Sequence, residues 1–203
     1  MSRVPHSPEV SRPIWINFAL SFTVLFMLLH LYWAIGGTWG LPPATRHTGS
    51  LVQVANWVVC AIMVIGLAFI FSLKRPLGRR IPAPLLLVPL WIGSVVCISH
   101  GLYGLVSKAL YLGGVHTAVH FPVVRGVSAA TAATQNHLAA MQDVAVFEPC
   151  FIILGILLCL AVWQFLSTPI TRRRWLVTII WGVLVIDLLG LVLWLGNWQL
   201  AVA

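Results

Sequence analysis

Four ionisable side chains stand in sequence that otherwise avoids charge: His30, His100, Glu148 and Asp187. Burial in an apolar medium makes a carboxylate hold its proton and an imidazole release one, and a paired carboxylate and imidazole restore charge to each other. A desolvated acid of that kind is a competent proton donor or base. Aromatic faces beside it stabilise a passing cation. Chemistry of this type suits the protonation or isomerisation of an isoprenoid, a sterol-like molecule or another lipid. Glu148 is the expected acid or base, His30 and His100 its partners, and Asp187 a second carboxylate. Trp33, Tyr103, Asn56, Trp194 and Gln53 are the expected substrate-binding residues. The comparison with small membrane isomerases and cyclases is one of architecture, and no Asp-rich motif for diphosphate-bound magnesium is present.

The apolar runs that must position these groups dominate the chain. Of its 203 residues 60% are hydrophobic and 8% are charged, against about 25% charged in a soluble domain. Mean hydropathy is +0.99. Crossing a bilayer as a helix takes about 20 apolar residues. Five runs qualify, roughly 14–36, 52–73, 84–107, 144–167 and 175–198. The expected fold is therefore an all-α integral membrane protein, a five-helix transmembrane bundle forming one domain. The first run is too long for the core of a signal peptide and is expected to remain as a span.

A net charge of +8 raises the question of nucleic acid, and its distribution answers it. Nine of the twelve basic residues fall before span 1 (Arg3, Arg12), between spans 2 and 3 (Lys74, Arg75, Arg79, Arg80) or between spans 4 and 5 (Arg172, Arg173, Arg174). All three places lie on one side of the bundle. The positive-inside rule puts that side, with the N-terminus, in the cytoplasm and the C-terminus outside. The partners expected are the bilayer and a hydrophobic small molecule, not nucleic acid. The cysteines, Cys60, Cys97, Cys150 and Cys159, all lie in predicted spans and read as small buried apolar residues.

Depth groups the polar residues. At 1.5 Å per residue His30 and His100 lie about 9–10 Å below the outer boundary and Glu148 about 6 Å. Gln53 and Asn56 open span 2 on the same side, and Asp187 sits near the middle of span 5. Pro149 belongs in the first turn of a helix, which puts the start of span 4 near Phe147 or Glu148. Residues 108–143 are expected to form an outer loop with a short helix over the bundle end. Trp15, Trp39, Trp175 and Trp198 read as interface anchors, and Trp33, Trp181 and Trp194 as pocket-lining. Two further readings stand beside the enzyme. Paired histidines at matched depth can ligate a haem iron, although no CxxCH attachment motif occurs. A small short-looped bundle also suits an accessory subunit of a larger membrane complex. His116 and His120 are spaced to share a metal if helical, but no third ligand lies near them in sequence.

Two segments carry a family resemblance. "HLYWAIGGTWG" has His30, then Trp33, Ala34, Gly36 and Gly37, and "QDVAVFEPCFIILG" has Asp143, then Phe147, Glu148, Pro149 and Cys150. Together they resemble a largely actinobacterial membrane family, domain of unknown function 3995. Phe147-Glu148 stands where that family carries Tyr-Ser, and the proline-to-cysteine spacing is one residue shorter. The resemblance covers about residues 14–167 and leaves span 5 outside. It implies membrane location and a four-span core, and no known activity.

Overall fold

The computed structural model describes residues 13–39, 41, 50–74, 78, 80–121 and 128–195. The described residues form α1 (Ile14–Ala34), α2 (Ser50–Lys74), α3 (Ala83–Leu112), a 3-10 turn (His116–Ala118), α4 (Ala129–Gln142), a π turn (Asp143–Phe147), α5 (Glu148–Phe165) and α6 (Pro169–Leu195). Five helical rods are long and apolar enough to cross a membrane, since α4, the π turn and α5 run on as one rod from Ala129 to Phe165. The fold is the expected all-helical bundle with five candidate spans.

α1 packs on α2 and on α5, α5 packs on α3, and α3 carries α6 on its outer side. α6 is peripheral and buries only Trp175 and Ile179 among its described side chains. One end of the bundle carries Lys74, Arg80 and Arg172 to Arg174 and is called the basic end. The opposite end, where α1 stops and α3 gives way to the 3-10 turn, is called the site end. The core fills the basic half with apolar side chains, among them Ile16, Ile70, Leu86, Leu158, Val162 and Phe165. Lipid tails are as apolar as leucine, so these helices are held by close packing and interhelical hydrogen bonds rather than by escape from water. Ties of the second kind are visible at the basic end. The Gln164 side-chain oxygen accepts from the backbone N–H groups of Trp15 and Ile16 at 3.0 and 3.4 Å, capping α1 from the end of α5. Trp175, expected at the interface, is buried and donates its indole N–H to the Cys159 carbonyl at 3.1 Å.

The sequence reading placed a loop with a separate helix over the bundle end at 108–143. A helix does form at Ala129–Gln142, capped by Ser128, whose hydroxyl accepts from the Thr131 N–H at 3.2 Å. It is joined end-on to span 4. The rod of 37 residues is about 55 Å long, well beyond a hydrocarbon core of about 30 Å. α3, with 30 residues, runs about 45 Å and continues past the expected end of span 3. Glu148 and Pro149 therefore sit inside a rod rather than at a free helix start. Regular α geometry resumes at Glu148, as the proline suggests, but the residue before it is already helical, Phe147 having φ −74° and ψ −46°. Pro149 lacks an N–H and its ring crowds the carbonyl four residues back. The wider π turn at Asp143–Phe147 is where the helix absorbs this. Trp198, and Arg3, Arg12, Arg75 and Arg79 of the basic groups, lie outside the described residues.

Candidate functional site

The site end holds three groups of polar side chains. The first is built on the α3–α5 contact. Gly101, Gly104 and Gly155 let the two backbones approach closely. A methyl on Gly101 would stand 2.6 Å from the Glu148 carbonyl oxygen, and one on Gly155 would stand 2.8 Å from the Ser94 carbonyl oxygen. The space over Gly104 is filled by the Glu148 carboxyl group itself, whose atoms lie 2.1–2.4 Å from where a methyl would be. Glu148 is 2% exposed.

Lys108, one turn beyond Gly104, is ion-paired through its Nζ with Glu148 Oε1 and, at 2.8 Å, with Asp143 Oδ2. Residues five apart on an α-helix point about 140° apart. The π turn between Asp143 and Glu148 closes that angle, so both carboxylates reach one ammonium. Such insertions in helices recur at functional sites. His100 completes the group, with Nε2 3.9 Å from Glu148 Oε2. Its side chain is 44% exposed, and its ring packs edge-on against Phe151 at 4.3 Å. Glu148 Oε2 is buried and has no hydrogen-bond partner among the described residues.

The second group ties α1 to α2. His30 Nδ1 lies 2.7 Å from Asn56 Oδ1. Asn56 donates its amide N–H to the Val52 carbonyl, so its oxygen faces the imidazole and His30 donates from Nδ1. This leaves His30 Nε2 as an acceptor, and it is buried without a hydrogen-bond partner among the described residues. Phe26 and Trp33 pack edge-on against the imidazole at 4.8 and 5.3 Å. Trp33 in turn meets Phe147, and Phe26 meets Phe151. A row of rings thus leads from His30 through Phe26 and Phe151 to His100. The glycines after His30 end the helix. Gly36 has φ +96°, its N–H binds the Trp33 carbonyl, and the Gly37 N–H binds the Tyr32 carbonyl at 2.8 Å. These two bonds are the Schellman stop, which needs a left-handed residue where Gly36 stands. The Trp33 indole donates to the Trp39 carbonyl at 2.8 Å, holding the chain after the turn. Gln53 flanks this turn, its amide 3.0 Å from where a Gly36 methyl would lie.

The third group lies between α3 and α6. Asp187, Tyr103 and Trp194 line a half-open cavity of about 190 Å³ with Leu102, Val106 and Leu191. At 100° per residue Tyr103 and Val106 stand on the face of α3 opposite Gly101, Gly104 and Lys108.

The nine residues expected in one pocket are therefore divided. Glu148 and His100 stand together, His30 and Asn56 form a neighbouring pair reached through aromatic rings, and Trp33 and Gln53 belong to the stop of α1. Asp187, Tyr103 and Trp194 form a separate groove. Trp181, expected to line a pocket, is 63% exposed. Lys108 and Asp143 were not expected at the site. The signal was present, since His100, Gly104 and Lys108 recur every fourth residue on one helix face; ending span 3 at residue 107 hid it. Among the described residues no three His, Cys, Asp or Glu side chains come close enough to share a metal ion. His116 sits in the 3-10 turn with its ring on Tyr111.

A multi-span helical bundle with a partly buried Lys–Glu–Asp–His cluster between two of its helices is thus the class of protein that fold and site define. The chain belongs to the family described as protein of unknown function DUF3995, whose model matches residues 23–158. The matched region takes in every member of the first two groups and ends before Asp187 and Trp194. No curated protein matches the chain, and no solved structure does.

Proposed function

We propose that the Glu148–His100 pair is a membrane-embedded acid–base centre acting on a lipid or other hydrophobic small molecule, isoprenoid and sterol-like lipids included. One observation carries the reading: Glu148 Oε2 is buried, unbonded and 3.9 Å from the Nε2 of a half-exposed histidine. Charge counting supports it. One ammonium at Lys108 faces two carboxylates, and the surplus negative charge is costly at membrane depth. A proton on Glu148 Oε2 or on His100 relieves it. His100 reaches the surface and can exchange that proton, while Lys108 holds the other carboxylate oxygen in place. A movement of about 1 Å brings His100 into hydrogen-bond range of Glu148. The basic end faces the cytoplasm of a bacterial cell in this reading, and the site end faces outward.

The test compares lipid extracts of membranes containing the wild-type chain, Glu148→Gln or His100→Ala, at matched protein abundance. A lipid species should change with the wild type, and its turnover should fall about 10²–10⁴-fold in Glu148→Gln. Identical extracts from the wild type and Glu148→Gln overturn the reading. The bridge from Lys108 to two carboxylates favours a second reading, in which the cluster only fastens α3 to the α4–α5 rod. In that case Glu148→Gln lowers the melting temperature and leaves the extracts unchanged.

A further inference from the structure

We propose that the groove between α3 and α6 is a binding site for a hydrophobic amine or ammonium cation, separate from the acid–base centre. The groove forms because α6 leaves α3 toward the site end. At Gly182 the two helices are in close contact, a methyl there standing 2.7 Å from the Trp91 ring and 2.9 Å from Val95. Two turns further on, at Gly190, the nearest α3 atoms are those of Tyr103 at 3.8–4.0 Å. The cavity opens in this divergence and has a volume of about 190 Å³. An apolar cavity of about 150 Å³ is enough for a benzene ring.

The lining is apolar apart from Asp187 and the hydroxyl groups of Tyr103 and Ser107, and the Ser107 hydroxyl donates to the Gly104 carbonyl. Leu102, Val106, Leu110 and Leu191 supply hydrocarbon walls, and Asp187 supplies a carboxylate. Asp187 has no ion-pair partner among the described residues, and its Oδ1 is buried without a hydrogen bond. Ser99 on α3 is its polar neighbour and offers it a hydroxyl donor, a neutral group that leaves the carboxylate charge unbalanced. A lone carboxylate at this depth is costly unless a proton or a cation neutralises it, and a cationic occupant takes the place of the proton. Tyr103 and Trp194, at the wall of the same cavity, are the side chains whose ring faces attract an ammonium group. Charge and surface together select an occupant with a cationic head and an apolar body. An anionic lipid is repelled by Asp187, and a neutral alcohol leaves it uncompensated.

The experiment places the full chain in lipid nanodiscs and photolabels it with an alkyl diazirine bearing a trimethylammonium head. The same alkyl diazirine bearing a hydroxyl head is the control, and labelled peptides are mapped by mass spectrometry. The ammonium probe should label residues 102–110 and 191–194 about tenfold more than the alcohol does. Asp187→Asn should remove that difference, and Leu191→Trp, which fills the groove and keeps the carboxylate, should abolish labelling there. Leu191→Trp decides the matter if Asp187→Asn does not fold. Glu148→Gln should leave labelling unchanged, so the groove and the acid–base centre stand or fall separately. Equal labelling by the two probes, or labelling that survives Leu191→Trp, overturns the proposal.

Discussion

Lys108 is the side chain on which the cluster depends, because among the described residues it is the ammonium that meets both carboxylates. Removing one partner of a buried ion pair leaves the other uncompensated and costs about 3–5 kcal/mol. Lys108→Met should therefore lower the melting temperature sharply in detergent, and Lys108→Met with Asp143→Asn and Glu148→Gln should recover most of the loss. If the triple variant is no more stable than Lys108→Met, the cluster is not held by charge balance. Glu148 was legible in the sequence as a rare acid in an apolar run. Its partner was not, because Lys108 sits where a hydropathy reading ends the span. A long α3 brings the lysine back over the site, and the glycines at 101 and 104 make the room.

The π turn is the element that sets the register of the cluster. It contributes one residue more than an α-helix needs, and Glu148 and Pro149 follow it. Deleting Ala145 together with Pro149→Ala should give an unbroken α-helix with the two carboxylates four apart, still on one face and still on Lys108. That variant should melt close to the wild type. Inserting one alanine after Ala145 should instead turn Asp143 about 100° away and destabilise the chain as much as Asp143→Asn does. Melting curves followed by size-exclusion chromatography distinguish the two; equal losses from deletion and insertion would show that register is not what matters. The motif "HLYWAIGGTWG" is explained at this scale too. His30 reaches Asn56, while Gly36 and Gly37 end α1 through backbone bonds that only the fold displays.

For the whole molecule the charge of the basic end predicts its sidedness. In a cysteine-free background, His116→Cys at the site end should react with a membrane-impermeant maleimide on intact cells. Arg80→Cys at the basic end should react only after permeabilisation. The reverse pattern would turn the protein over and place the site toward the cytoplasm. Composition and hydropathy alone determined that the chain is a helical bundle with five candidate spans, because about 20 apolar residues in a row have one stable form in lipid. They also determined which few side chains are costly there. Only the tertiary structure decided which of these meet. A helix displays its side chains all round, so matched depth left their directions open. Packing through Gly101, Gly104 and Gly155 turned Glu148 onto α3 beside Lys108, and the divergence of α6 set Asp187 in a groove of its own.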